Sequence, residues 1–89
     1  MPEVWIPSRL QELAGGNTHV TVNGATIRQV LDNLEQLYPG IKAFLCYGDA
    51  IMPGIAVIVD SQDTTLGMLE RVHENSEIHF LPALGGGAY

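Results

Sequence analysis

The sequence predicts an α+β domain in which a mixed β-sheet packs against one main helix. Three observations carry this prediction: short β-prone runs near both ends of the chain, one capped amphipathic helix between them, and a last strand that runs into Gly85-Gly86-Gly87. A chain of 89 residues with 46% apolar content is long enough for one core. We expect residues 1–84 to form the domain and residues 85–89 to form a flexible C-terminal tail.

Two short β-prone segments at the start of the chain predict an antiparallel hairpin with a long loop. The first, residues 3–7, alternates apolar and other side chains, and the second, residues 18–22, places two valines on one face. In the loop between them, Leu10 and Leu13 are expected to pack inward. For Trp5, both an edge position and a position under the loop remain open.

An amphipathic helix follows the hairpin. Thr26 and Gln29 have the spacing of a capping box, and Pro39-Gly40 ends the pattern, so we expect a helix from near Thr26 to near Tyr38. Its apolar side chains recur three or four residues apart, which predicts one stripe that faces the core. The stripe comprises Ile27, Val30, Leu31, Leu34 and Leu37.

The second half of the chain alternates apolar segments with turns. We expect a short helical turn at residues 41–45 and a loop at residues 48–54. Residues 55–59 are apolar without alternation, which predicts a central strand covered on much of both faces. Residues 65–69 fit a helix and a strand equally well.

The last strand, residues 77–81, carries the functional argument. Ile78 and Phe80 are expected to point inward, so His79 and Leu81 are expected to face outward. We place this strand at the centre of the sheet, beside the first strand and parallel to it. This order of elements is a β-grasp arrangement, which projects the C-terminus away from the body of the domain.

Charge and composition disfavour several classes of function. Ten acidic residues against four basic ones give a formal charge of −6, which argues against nucleic acid and anionic membranes and favours a partner with a basic docking face. No run reaches the ~20 apolar residues of a membrane span. The one cysteine, Cys46, excludes an internal disulfide and is interpreted as a buried apolar side chain. We therefore expect a cytoplasmic protein.

No constellation of side chains predicts catalysis or metal binding. His19, His73 and His79 lack the spacing of metal ligands, so we expect neither a metal site nor a catalytic residue. Asp60 and Asp63 are interpreted as solvated turn residues.

The C-terminal residues resemble a known family. Asn75 to Leu81 form a turn and an aliphatic strand, and Pro82-Ala83-Leu84-Gly85-Gly86-Gly87 follows. This motif, with the order of elements along nearly the whole chain, is similar to the ubiquitin-like sulfur-carrier proteins, which include the small subunit of molybdopterin synthase, the thiamine sulfur carrier and the carriers of bacterial cysteine biosynthesis. Ubiquitin has arginines flanking its last leucine, where this chain has Ala83 and Gly85. That difference favours the sulfur carriers over a conjugated modifier.

The resemblance implies that the chain is a protein co-substrate that binds no cofactor. A ubiquitin-activating-like adenylating enzyme would use ATP to activate the carboxylate of Gly87, and sulfur would then convert it to a thiocarboxylate. A sulfur-accepting synthase would take up this sulfur. Gly85 and Gly86 would let the tail enter narrow channels in both enzymes. The residues expected to contact the partner are His79, Leu81 and Leu84.

Ala88 and Tyr89 follow Gly87, which departs from the family pattern. Because an internal peptide carbonyl cannot be adenylated, the resemblance implies either that a zinc metalloprotease removes these two residues or that this homologue has lost transfer activity. Two other functions remain open at this point. One is a non-catalytic β-grasp adaptor that binds partners through its sheet, and the other is a ubiquitin-like modifier joined to lysines.

Overall fold

The computed structural model describes residues 1–82, which form a five-stranded sheet, a two-stranded ribbon and a helical layer. The strands are β1 (Glu3–Trp5), β2 (His19–Thr21), β3 (Cys46–Tyr47), β4 (Ala50–Ile51), β5 (Ile55–Val59), β6 (Gln62–Asp63) and β7 (Glu77–Pro82). The helices are α1 (Ile27–Leu37) and α2 (Lys42–Leu45), with 3₁₀ turns at Ser8–Leu10 and Gly67–Leu69.

The last strand lies at the centre of the sheet, as the sequence predicted. The strand order is β2-β1-β7-β5-β6. Strand β7 pairs in parallel with β1 and antiparallel with β5, while β1 pairs antiparallel with β2. This arrangement confirms the β-grasp fold: the first and last strands are neighbours, and α1 covers the inward face.

Helix α1 begins and ends where the sequence predicted. The Thr26 hydroxyl accepts a hydrogen bond from the Gln29 amide at 3.3 Å, which caps the first turn. The Gln29 side chain accepts instead from the amide of Ala25, one residue before the position that a capping box would use. The prediction for Leu37 was wrong, because this side chain is 55% exposed. At 100° per residue, Leu37 lies about 70° from the centre of the stripe.

The loop after β1 differs from the prediction in one side chain. Leu10 is buried, but Leu13 is 40% exposed and Ala14 is buried in its place. The chain continues in turns after Ser8–Leu10, with the Ala14 amide bonded to the carbonyl of Gln11. Such bonds join residues three apart, so the segment is a series of tight turns and not a regular helix, and Ala14 instead of Leu13 reaches the core beside Leu10.

The predicted loop at residues 48–54 is partly a β-ribbon. Strands β3 and β4 pair antiparallel across a tight turn that begins at Gly48, where φ is +61°. Helix α2 confirms the predicted helical turn. The ambiguous segment at 65–69 contains the 3₁₀ turn Gly67–Leu69.

Strand β5 is less covered than the sequence predicted. It pairs with β7 along its whole length, but with β6 only at Ile58 and Val59. Val57 and Val59 are buried against the helical layer, whereas Ile58 is partly exposed on the outward face. Within residues 1–82, no second layer covers that face. An unbroken apolar run therefore did not mean burial on both faces.

Asp60 is a structural residue and not a simple solvated one. Its carboxylate accepts hydrogen bonds from the Ser76 hydroxyl at 2.8 Å and from the Glu77 amide at 2.9 Å. Ser76 is only 2% exposed, and its hydroxyl also accepts from the His73 amide. The network joins the turn after β5 to the start of β7 and thereby fixes where the central strand begins.

Candidate functional site

The candidate functional site lies on β7, whose middle is buried and whose last residues are exposed. Ile78 and Phe80 are buried, while Leu81 is 49% exposed and His79 is partly exposed. The predicted alternation along this strand is therefore confirmed. Its last pairing joins Pro82 to Ile55 of β5, three residues beyond His79, where the pairing with β1 ends.

An aromatic stack occupies the outward face beside β7. The register places Trp5 opposite His19 on one side and opposite His79 on the other. The ring centroids of Trp5 and His79 are 5.3 Å apart and nearly parallel, and those of Trp5 and His19 are 4.5 Å apart and tilted. Trp5 thus lies on the outward face between two imidazoles, which resolves the question that its sequence left open.

The indole nitrogen of Trp5 has no hydrogen-bond partner in the described part of the chain, although it is buried. An unpaired buried donor costs about 1–3 kcal/mol. The stack is therefore held by ring contacts and by the strand register.

Two carboxylates lie in the next row of the same face. Glu3 and Glu77 are direct neighbours on the parallel strands β1 and β7. A nitrogen of His19 lies 3.5 Å from a carboxylate oxygen of Glu3, and His79 lies at the same distance from Glu77. We call Glu3, Trp5, His19, Glu77 and His79 the outward patch. Sequence reasoning did not find it as a unit, because its members meet only through the register of three strands.

An apolar groove lies on the other side of the exit of the chain. It has a volume of about 370 Å³ and separates Phe80 and Pro82 on the sheet from Leu45 and Pro7 on the helical side. Arg9 stands at its rim. Leu81 also lines this groove, so apolar surface lies beside the end of β7.

The thiol of Cys46 does not contribute to a reactive site. Cys46 is buried at the start of β3, and burial raises the pKa of its thiol, which keeps the sulfur protonated. Among residues 1–82, no three His, Cys, Asp or Glu side chains are placed to hold a metal ion. In the same part of the chain, no helix is long and apolar enough to cross a membrane.

The predicted reactive end lies outside the described residues. This applies to the glycine positions, to the leucine before them and to the two residues after them: Leu84, Gly85, Gly86, Gly87, Ala88 and Tyr89. The structure therefore describes the surface around the exit of the tail, with His79 and Leu81 where the sequence placed them.

Comparison with known proteins agrees with this architecture. The sulfur carrier protein CysO of Mycobacterium bovis is 30% identical over 91 residues, which cover 94% of this chain and 96% of that protein. In a crystal structure of the Amycolatopsis orientalis BexX/CysO complex, the matching chain has a TM-score of 0.88 and 30% identity, over 93% of this chain and 96% of that one.

A more distant structure shares the fold. The small archaeal modifier protein 1 from Methanosarcina acetivorans has a TM-score of 0.76 at 23% identity, over 97% of this chain and 95% of that one. The model of the ThiS family matches residues 4–87, which include both the central strand pair and the glycine run. The chain therefore belongs to the ThiS family.

Proposed function

We propose that this protein is a sulfur carrier whose reactive group is the carboxylate of Gly87. The observation that carries the proposal is the extent of the family match, which ends at Gly87 and leaves Ala88 and Tyr89 outside it. The central position of β7 supports it, because the described part of the chain ends on this strand, five residues before Gly87. The relative from Mycobacterium bovis, which is named as a sulfur carrier protein, supports the same activity.

The proposed chemistry needs a partner enzyme at each step. The Gly87 carboxylate attacks the α-phosphate of ATP and releases pyrophosphate, and the product is an acyl-adenylate. A sulfide equivalent attacks the acyl carbon and displaces AMP, which leaves a thiocarboxylate. A synthase then brings an electrophilic acceptor to the sulfur. The carrier supplies no catalytic side chain, and these reactions take place in the cytoplasm, where ATP is available.

Glycine suits the reactive end because it has no side chain. Four extended residues from Leu84 to Gly87 would reach about 13 Å at ~3.3 Å per residue, enough to cross the wall of a channel. Ordering each residue costs ~1–2 kcal/mol of backbone entropy, so docking of the domain must offset this loss. Leu81 and His79 are exposed at the exit and are the proposed contacts, with Leu84 next along the chain.

The residues after Gly87 make processing a necessary step. Tyr89 would bring an aromatic ring to a channel that admits glycine, and the carbonyl of Gly87 is a peptide carbonyl while Ala88 follows it. We propose that a protease, of the zinc metalloprotease class, removes Ala88 and Tyr89 and so releases the reactive carboxylate.

Reconstitution with two purified forms tests this function. One form ends at Tyr89 and the other at Gly87, and each is incubated with the activating enzyme from the same genome, ATP and a sulfide source. Intact-protein mass spectrometry should detect one sulfur-for-oxygen exchange on the Gly87 form only. If both forms gain sulfur, processing is not required. If neither does, the protein is not a carrier for that enzyme.

A truncated chain separates a carrier from an adaptor. A form that ends at Leu84 keeps the domain but lacks Gly85 to Gly87. A carrier should lose sulfur transfer in this form, whereas an adaptor should keep partner binding together with full activity. Covalent adducts on lysines that survive reduction would instead identify a protein modifier.

A further inference from the structure

We propose that the outward patch binds a basic side chain of the activating enzyme, an arginine or a lysine that lies between Glu3 and Glu77 and against Trp5. This inference rests on the proposed function, because it identifies the chemistry of the partner's surface. Two observations on the patch carry it: a pair of like charges and an aromatic ring beside them.

The pair of carboxylates is unfavourable in the free protein. Glu3 and Glu77 are direct partners in the register of β1 and β7, and both side chains point outward. Like charges directly opposite each other destabilise a sheet. Among residues 1–82, neither carboxylate has a lysine or arginine within ion-pair distance. A cation supplied from outside would relieve this repulsion.

The indole ring of Trp5, next to the two carboxylates, also favours a long basic side chain. Trp5 follows Glu3 by two residues on the same strand and faces the same way, so its indole borders the space between the two carboxylates. His19 and His79 cover the two faces of the ring, so the contribution of Trp5 is apolar surface along which the aliphatic stem of an arginine or a lysine can lie. Leu81 extends the patch with apolar surface toward the exit of the chain. A basic residue with an apolar neighbour would therefore match this face in charge and in shape.

The two histidines line the same patch. His19 faces Glu3, Trp5 and the hydroxyl of Thr18, and His79 faces Glu77 and Trp5. Beyond them on the row of Trp5, β5 contributes Ile58 and β6 contributes Asp63. Among residues 1–82, Glu3 and Glu77 therefore have imidazole neighbours but no lysine or arginine partner.

Binding of the activating enzyme tests the docking surface. The dissociation constant is measured by calorimetry at neutral pH for Glu3→Gln and Glu77→Gln. Glu12→Gln is the matched control, because Glu12 is an exposed carboxylate on another part of the surface and loses the same charge. The two patch variants should weaken binding about three- to tenfold at low salt, and less at high salt, with little change for the control.

The outcomes separate this inference from the proposed function. If Glu12→Gln weakens binding as much as the patch variants, or if none of them does, the docking surface is elsewhere. Should the wild-type chain bind through Glu3 and Glu77 but never gain sulfur, the inference stands and the carrier function fails. If the wild-type chain gains sulfur while the patch variants bind normally, only the inference fails. Absence of any binding contradicts both.

A measurement on the free chain tests the charge argument without a partner. Glu77→Gln should raise Tm by about 2–4 °C, since it removes the repulsion from Glu3. Glu12→Gln should leave Tm unchanged. An unchanged or lower Tm for Glu77→Gln would overturn the charge argument.

Discussion

Gly24 is the residue that allows α1 to start close against the end of β2. Its φ is +150°, and a Cβ built at this position would lie 2.7 Å from both the backbone nitrogen and the Cγ2 atom of Val30. Distances this short require the backbone to move. Val30 is fully buried, so the helix has no free space into which it could shift.

Gly24→Ala should therefore lower the free energy of unfolding by about 2–3 kcal/mol. Gly48→Ala is the control, because Gly48 also has a positive φ but has no atom within 4 Å of the added Cβ. The control should lose only about 1 kcal/mol. Urea denaturation of both variants checks this difference, and equal losses would show that contact with Val30 is unimportant.

Individual residues differed in how well the sequence revealed them. The alternation of Ile78, Phe80 and Leu81 followed from the period of a strand, so their faces were predictable. The contacts of Trp5 were not, because they depend on how three strands align. Asp60 gave no signal in the sequence, since its partner Ser76 is sixteen residues away.

Strand β7 contributes to the core with one face and carries the proposed docking residues on the other. Leu81→Asp should change Tm by less than about 2 °C, because the side chain is 49% exposed, yet it should weaken binding to the activating enzyme. Phe80→Ala is the comparison on the inward face and should cost about 3–5 kcal/mol. Thermal melts and calorimetry measure the two effects. A large loss of stability for Leu81→Asp would contradict its assignment to the docking surface.

Glu35 joins α1 to α2. Its carboxylate accepts hydrogen bonds from the amides of Gly40 and Lys42, each at 2.9 Å. These bonds lower the pKa of Glu35 below its ordinary value, and the bond from Gly40 has the larger effect. The pKa of Glu35 is therefore lower in the folded protein than in the unfolded chain. The stabilisation is fully present at pH values above the pKa of the unfolded chain, and it is lost as the pH falls through the pKa of the folded protein.

Glu35→Ala should consequently be less stable than the wild type at neutral pH, and the difference should shrink as the pH falls below about 4. Urea denaturation at a series of pH values measures it. Glu12→Ala provides the control, because Glu12 is exposed and has no hydrogen bond to an amide in the described part of the chain. A difference that stays constant down to low pH would show that the carboxylate is not the stabilising group.

Helices and strands with a clear repeat of apolar side chains were predictable from the sequence, and very short strands were not. Helix α1 has eleven residues, which is enough for its cap, apolar stripe and stop signal to appear. Strands β3 and β4 have two residues each, too few to show an alternation. Their pairing depends on the turn at Gly48, which the sequence also allowed to be an open loop.

The whole molecule is arranged so that its last strand is also its central one. Strand β7 has neighbours on both sides, and the inward side chains of β7 pack under α1. The described part of the chain therefore ends on the central strand. The order of elements was predictable from the sequence, whereas the proposed reactive end, Gly87, lies outside the residues that the structure describes.

The measurement that tests the central claim most directly is intact-protein mass spectrometry of the chain isolated from its native cells. The account predicts a protein that ends at Gly87, with a fraction that carries sulfur in place of one carboxylate oxygen. Treatment with an alkylating reagent at neutral pH should shift only that fraction. A protein that keeps Ala88 and Tyr89 in cells that actively consume sulfur, with no sulfur-bearing form, would contradict the account.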